Sequence, residues 1–322
     1  MMRCIAILSS GGDSPGINPC IRAAVRTALD KGVEVIGIKD GFDGLVRGEM
    51  ISLNARDVGG ILQRGGTFLH TARCPEFLQE KIQRKALREL NESGIDGLLV
   101  IGGDGSLRGA HALATLGFSV VGLPASIDND IWGTDMSIGV DTAVNTIMDA
   151  IDKLRDTASS HERAFLIETM GRNCGYLALN AGVVCGAEII LIPEKEVSMA
   201  EIAQMVSGAY ERGKSHCIIV VAEGSSLKVH DIAEYLRTTE VGFETRVTIL
   251  GHVPRGGSPT AFDRMLATRM GVRAVEVLLA GETDIMVGLS GRDIITVPLS
   301  KVFKQSRKPN LELLDMAKTL AK

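Results

Sequence analysis

Several features that mark whole classes of protein are missing from this sequence. Its 322 residues contain no apolar run of about 18 or more, the length a helix needs to cross a bilayer. The opening stretch MMRCIAIL runs straight into SSGGD, without the longer apolar region and small-residue cleavage site of a secretory signal. It reads instead as a first strand, and the expected location is the cytoplasm. The six cysteines (Cys4, Cys20, Cys74, Cys174, Cys185 and Cys217) include no C-x-x-C pair. That argues against a zinc site or a disulfide framework and suits free thiols in a reducing compartment. There is no repeat, no low-complexity stretch and no long run of one charge. A net charge of −4 offers no field to attract nucleic acid.

What remains is the balance of an ordinary soluble globular protein, with 45% apolar and 23% charged residues. The length exceeds what one hydrophobic core usually serves, so two lobes are expected. Short apolar runs alternate with longer amphipathic ones. Strands are predicted at 3–8, 33–38, 97–101, 119–122, 164–167, 188–192, 217–222 and 247–250, and helices at 18–30 and 140–155. In the second helix Val140, Val144, Ile147, Ile151 and Leu154 recur at steps of three and four. This alternation predicts an α/β protein of two Rossmann-like three-layer α/β/α lobes with mainly parallel sheets.

In such sheets ligands gather where strands end and helices begin. Two of these junctions are rich in glycine: Ser9-Ser10-Gly11-Gly12-Asp13-Ser14-Pro15-Gly16 and Ile101-Gly102-Gly103-Asp104-Gly105-Ser106. Glycines let backbone N–H groups approach a phosphate, and the helix N-terminus adds positive potential. An aspartate inside the second loop repels phosphate unless a cation lies between them, which points to Mg²⁺. Each loop alone reads equally well as a tight turn with a capping Asp or Ser. A third cluster, Leu123-Pro124-Ala125-Ser126-Ile127-Asp128-Asn129-Asp130, follows another strand. It offers one carboxylate as base toward a hydroxyl and a second for a metal, or else an Asx-rich turn.

The segments SSGGDSPGIN, QRGGTFLHTARCPEF, VIGGDGS, IDNDIWGTD, AIDKLRDTASSHER, ETMGRNCGY and GHVPRGGSP occur in that order. Together they make the chain resemble the bacterial-type ATP-dependent 6-phosphofructokinases along essentially its whole length. The G-G-D-G element alone is shared with NAD kinases and diacylglycerol kinases. The ordered set is specific.

The resemblance implies a larger nucleotide-binding lobe from 1–138 plus 253–304, and a smaller sugar-phosphate lobe from 139–252 plus 305–322. It implies an ATP site lined by Gly12, Arg73, Cys74, Gly103, Asp104, Gly105 and Ser106, with Asp104 binding Mg²⁺. Asp128 matches the family's catalytic base toward the sugar 1-hydroxyl, with Ser126 and Ile127 beside it and Arg73 stabilising the transferring phosphoryl group. Ser126 stands where the family usually has Thr and keeps the hydroxyl. Met170, Gly171, Arg172, Glu223, His252 and Arg255 match the fructose 6-phosphate pocket of the same subunit. Arg163 and Arg246 match residues that reach that phosphate from a neighbouring subunit, so a homo-oligomer, commonly a tetramer, is implied. Arg163, Arg172, Arg246 and Arg255 are expected at strand ends or in loops, where planar guanidinium groups suit phosphate. Arg22 and Arg26 share one face of the first helix. With Arg155, Gly186, Ala187, Glu188, Lys214 and His216 they match an effector site for ADP and phosphoenolpyruvate. Ser215 replaces a residue there that is often basic.

Pyrophosphate-dependent relatives typically carry Asp where Gly105 stands and Lys where Ala125 stands. This chain has neither, which favours ATP. A regulatory subunit that binds nucleotide without catalysis is a further alternative, opposed by the presence of Asp128, Asp104 and Arg73.

Overall fold

The opening apolar run forms β1 (Cys4–Ser10), buried at every position. A strand covered on both faces needs a continuous apolar run rather than alternation, and the computed structural model, which describes residues 2–321, shows that covering. From β1 the chain passes through α1 (Ile17–Asp30), β2 (Glu34–Ile38), α2 (Gly41–Arg47) and β3 (Met50–Leu53). A 3₁₀ turn at Pro75–Leu78 leads to α3 (Glu80–Glu92), β4 (Gly97–Gly102), α4 (Asp104–Thr115) and β5 (Val120–Pro124). Then come α5 (Val140–His161), β6 (Arg163–Thr169), α6 (Tyr176–Val184), β7 (Ile189–Leu191) and α7 (Met199–Glu211). They are followed by β8 (Cys217–Ala222), α8 (Val229–Thr238), β9 (Glu244–Ile249) and α9 (Ala261–Leu279). The chain closes with β10 (Ile285–Ser290), β11 (Asp293–Pro298), α10 (Leu299–Val302) and α11 (Glu312–Leu320).

Two units emerge. The first comprises Met1–Ile127, Ile131–Thr142 and Arg255–Arg307; the second comprises Asp128–Asp130, Ala143–Pro254 and Lys308–Lys322. In the first, seven strands run in the order β11-β10-β5-β4-β1-β2-β3. The central strands are parallel, and only the edges, β3 and β11, are antiparallel. One face of this sheet packs Ile5, Ile7, Leu99 and Ile101 with Ile17, Ile21 and Met270 from α1 and α9. The other packs Ala6, Leu8, Leu98 and Val100 with Phe42, Leu90 and Leu107 from α2, α3 and α4. Each fully buried Leu or Ile contributes about 1.5–3 kcal/mol.

The second unit holds a four-stranded, wholly parallel sheet in the order β7-β8-β6-β9. Helices α7 and α8 cover one face through Ile202, Val206, Ile232 and Leu236. The expected mainly parallel α/β architecture is therefore what the chain adopts. No helix among the described residues is long and apolar enough to cross a membrane.

Candidate active site

In the first sheet the chain leaves β1 for β2 and β3 on one side, while β4 and β5 lie on the other. Helices departing to opposite sides open a crevice at the carboxyl ends of β1 and β4, the usual ligand position in such sheets. Both glycine turns stand there. Ser10 pairs with Gly102 across the two strands. A Cβ on Gly102 would lie 2.4 Å from the carbonyl oxygen of Ser10, so only glycine lets the turns meet. The buried Ser106 hydroxyl then donates to that same carbonyl at 2.8 Å. Neither turn is closed by a capping Asp or Ser. Gly16 and Gly103 are the N-caps of α1 and α4, and no side chain caps either helix.

Asp104 is the first residue of α4 and half-exposed, with one carboxylate oxygen 2.8 Å from Arg108 Nε one turn along. Beside it, a Cβ on Gly105 would meet nothing within 4 Å, so the turn borders open space. Among the described residues no three His, Cys, Asp or Glu side chains converge as a metal cage. A cation at Asp104 must complete its shell with phosphate oxygens and water. Mg²⁺ binds in this manner, so the donor set fits it.

The segment after β3 is laid against the first turn by hydroxyls. Ser9 Oγ lies 2.6 Å from Thr67 Oγ1 and donates to the His70 carbonyl at 3.0 Å. Thr71 donates to the Gly11 carbonyl at 2.8 Å. Two residues later comes Arg73, exposed, and then the half-buried Cys74. Burial raises the Cys74 thiol above its ordinary range. The Arg255 guanidinium comes to the same turn, 3.5 Å from where a Cβ on Gly12 would stand. Arg255 thus belongs to the first unit, whereas the other residues expected in the same-subunit sugar pocket lie in the second. Ser126 also lies in the first unit, its Cβ 3.9 Å from a Cβ on Gly103, followed by buried Ile127.

In the second unit the carboxyl ends of β8, β6 and β9 are neighbours, with Thr169 pairing Ala222 and Glu168 pairing Ile249. Immediately beyond them sit Glu223, the Met170-Gly171-Arg172 loop and His252. A Glu223 carboxylate oxygen accepts the N–H groups of Gly171 at 3.2 Å and Arg172 at 2.6 Å. Gly224 lets that carboxylate reach the loop, because a Cβ there would collide with the Arg172 carbonyl at 1.9 Å. Arg172 adopts φ 49° and turns its side chain to Asp128, with Nε 3.4 Å from Oδ2. Asp128 is 4% exposed. A buried carboxylate beside an exposed guanidinium can accept a proton while the cation holds an anion.

Arg163 opens β6, as expected for a strand end, but Arg246 is the third residue of β9 and lies inside that strand. Its position is set by the alternation of an exposed edge strand. Glu244 joins the two arginines: Arg163 Nε lies 2.7 Å from Oε2, and Arg246 pairs with Oε1. The Arg163 hydrogen bond holds the Glu244 carboxyl below its ordinary range. Sequence reading missed Glu244, and only its place two residues before Arg246 hints at the role.

Six of the eight effector candidates come together in the second unit. Lys214 Nζ lies 3.0 Å from Glu188 Oε1, whose other oxygen accepts the Ile218 N–H at 2.7 Å. Arg155 donates to the Cys185 carbonyl beside Gly186 and Ala187, and His216 Nδ1 lies 2.9 Å from Ser159 Oγ. Burial lowers the His216 pKa, with Glu188 opposing. Arg22 and Arg26 sit on α1 in the first unit, where Arg26 donates to the Ala55 carbonyl.

Comparison with known proteins bears on these two sets of residues. The chain is 51% identical over 321 residues to the ATP-dependent 6-phosphofructokinase of Thermotoga neapolitana, covering 99% of this chain and all of that one. It is 51% identical over 323 residues to the protein of the same name from Clostridium acetobutylicum, covering both chains fully. Among solved structures, Pichia pastoris phosphofructokinase in the T-state superposes with a TM-score of 0.89 at 36% identity, over 94% of this chain and 35% of the yeast chain. This chain thus spans about a third of that larger protein. The family model described as Phosphofructokinase matches residues 4–278, a span that holds both glycine turns and the Asp128, Arg172 and Glu223 cluster. The chain belongs to the phosphofructokinase family.

Proposed function

We propose that this protein transfers the terminal phosphoryl group of ATP to the 1-hydroxyl of fructose 6-phosphate, giving fructose 1,6-bisphosphate and ADP. The observation that carries the reading is the pair of glycine turns joined through Ser106 and Ser10, with Asp104 opening the helix behind one of them. Full-length similarity to enzymes named as ATP-dependent supports the donor. The first unit is then the nucleotide lobe and the second the sugar-phosphate lobe.

Phosphoryl transfer depends on positioning and charge neutralisation more than on covalent chemistry. Backbone N–H groups of the Gly11–Gly12 and Gly103–Ser106 turns receive the polyphosphate, and Cys74 lines the same site. Mg²⁺, held by Asp104, supplies neutralising charge at the phosphates when bound. Asp128 takes the proton of the sugar 1-hydroxyl as its oxygen forms the new bond to phosphorus and the bond to the ADP oxygen breaks. Arg73 stabilises charge on the phosphoryl group in transit. Ser126 and Ile127 flank the hydroxyl. Arg172, His252, Arg255 and the loop at Met170 and Gly171, braced by Glu223, hold the sugar phosphate. Arg163 and Arg246, joined by Glu244, reach the same phosphate in a neighbouring subunit, so the active form is an oligomer, and a tetramer in our reading.

The chain works in the cytoplasm, where its six free thiols stay reduced. ADP and phosphoenolpyruvate act as effectors at a subunit interface, through the Arg155, Gly186–Glu188, Lys214 and His216 cluster and through Arg22 and Arg26. Pyrophosphate is the competing donor. Gly105 and Ala125 oppose it, because neither a crowding carboxylate nor a lysine for a smaller donor is present. Initial rates with fructose 6-phosphate and either ATP or pyrophosphate test the reading. Turnover with ATP supports it, and turnover with pyrophosphate alone overturns it.

A further inference from the structure

Three helices begin around one carboxylate of the first unit that the proposed reaction does not use. Asp263, in the first turn of α9, has no exposed surface. It accepts the N–H groups of Gly139 at 2.9 Å and Thr142 at 2.8 Å, and the Thr142 hydroxyl at 2.5 Å. These donors mark the start of α5. Thr260 caps α9 by accepting the Asp263 N–H at 3.2 Å, and its hydroxyl donates to Asp141 Oδ2 at 2.6 Å. The Thr260 N–H donates to Thr142 Oγ1 at 3.0 Å, closing the ring. The third helix, α1, starts at Gly16, where a Cβ would stand 2.6 Å from the Ile138 side chain and 3.7 Å from Asp263 Cβ. The buried Ser14 hydroxyl donates to the Ile138 carbonyl at 3.0 Å. Helix N-termini carry partial positive charge, so three in one place repel unless an anion lies among them.

The bonds therefore run from Asp263 through Gly139 and Ile138 into the first glycine turn. We infer that Asp263 is a positioning residue for that turn, fixing the backbone amides between Gly11 and Gly16 that receive the nucleotide's phosphates. The inference rests on the reading of this turn as the nucleotide site. Its chemistry also makes the arrangement sensitive to acid. Burial pushes the Asp263 carboxyl up to about 6, against its hydrogen bonds and with Asp141 raising it further. The other groups packed around it do not offset this. Arg264, next on α9, is turned to the Pro259 carbonyl and Ser258 Oγ. A proton on Asp263 would sit on an oxygen surrounded by donors, and at least one bond to the start of α5 would be lost.

The test is calorimetric titration of the full chain with the ATP analogue AMP-PNP and Mg²⁺ between about pH 5.5 and 8, with fructose 6-phosphate titrated in parallel. Protonation of the analogue's own phosphates acts on every protein alike, so the difference between protein curves is the readout. Wild type should lose affinity several-fold as the pH falls through about 6. Asp263→Asn should bind the analogue roughly tenfold more weakly than wild type at pH 8, without that step, as expected for losing one charge-assisted hydrogen-bond set. Its fructose 6-phosphate affinity should stay within about twofold. A step retained in Asp263→Asn, or equal losses for both ligands, overturns the inference. Should Asp263→Asn not fold, Thr142→Val carries the test. A several-fold loss confined to the nucleotide supports the inference, and no loss overturns it. A wild type that binds no nucleotide overturns the reading of the turn itself, whereas failure of the inference alone leaves wild-type binding intact.

Discussion

Arg172 Nε stands 3.4 Å from Asp128 Oδ2, while the backbone N–H of the same arginine is held by Glu223. One exposed cation is thereby fixed at both ends, its main chain by one carboxylate and its side chain by another. Such a guanidinium is pre-organised for an anion. Charge-assisted hydrogen bonds contribute about 1.5–3 kcal/mol, so Arg172→Leu should raise the KM for fructose 6-phosphate roughly 10–100-fold. The KM for ATP should change little. Steady-state kinetics with each substrate varied in turn separates the two effects.

Gly105→Asp separates donor choice from folding. The position is the second residue of α4, exposed, with open space where a Cβ would go. Replacing a helical glycine by aspartate gains about a few tenths of a kcal/mol, and acid near a helix N-terminus adds a similar amount, offset by repulsion from Asp104. The variant should melt at or near the wild-type temperature. Its kcat/KM with ATP should nevertheless fall by about 100-fold or more, because a fixed carboxylate then faces the polyphosphate. A drop in melting temperature that parallels the loss of activity would assign the effect to folding instead.

The central parallel strands were legible because burial on both faces leaves a continuous apolar signature, as at 97–101, which begins with β4 and ends one residue short of it. The antiparallel edges were not. At β3, four residues present only one buried side chain, and β11 alternates weakly on an exposed edge. β10 carries Gly288 in its centre, which interrupts the apolar run. In the site, residues within glycine-rich motifs stood out, whereas Thr71, Glu244 and Asp263 did not. Thr71 and Asp263 bond to residues far away in sequence and Glu244 reaches Arg163 on a neighbouring strand, and little that is local distinguishes a threonine or acid that braces a loop from one facing solvent.

Thiol reactivity should single out Cys74. Five of the six cysteines are buried, and burial pushes Cys174 and Cys185 up to about 11. Only Cys74 combines partial exposure with a place in the proposed nucleotide site. An aromatic disulfide reagent should modify one cysteine of the native protein slowly, and Mg²⁺ with ATP should slow it further. Peptide mapping by mass spectrometry identifies the residue. Prior modification at any other cysteine contradicts the assignment.

Asp263 also predicts the sign of a stability difference. Its folded pKa, about 6, lies above the ordinary unfolded value of about 3.9. The folded state therefore holds this proton more tightly, and the associated stability is present below pH of about 4 and lost as pH rises through about 6. Wild type should gain stability relative to Asp263→Asn, by on the order of 1–2 kcal/mol, as the pH is lowered from about 7.5 to 5. Denaturant midpoints at the two pH values measure it. A difference that stays constant means that Asp263 does not titrate in this range.

The most direct measurement on the central claim is kcat for Asp128→Asn at saturating ATP and fructose 6-phosphate, with fructose 6-phosphate affinity measured on the same protein. Asparagine keeps the shape beside Arg172 and removes the capacity to take the hydroxyl proton. A fall in kcat of about 10²–10⁴, with the sugar phosphate still bound, is the predicted result. A folded Asp128→Asn enzyme turning over at the wild-type rate would contradict the account.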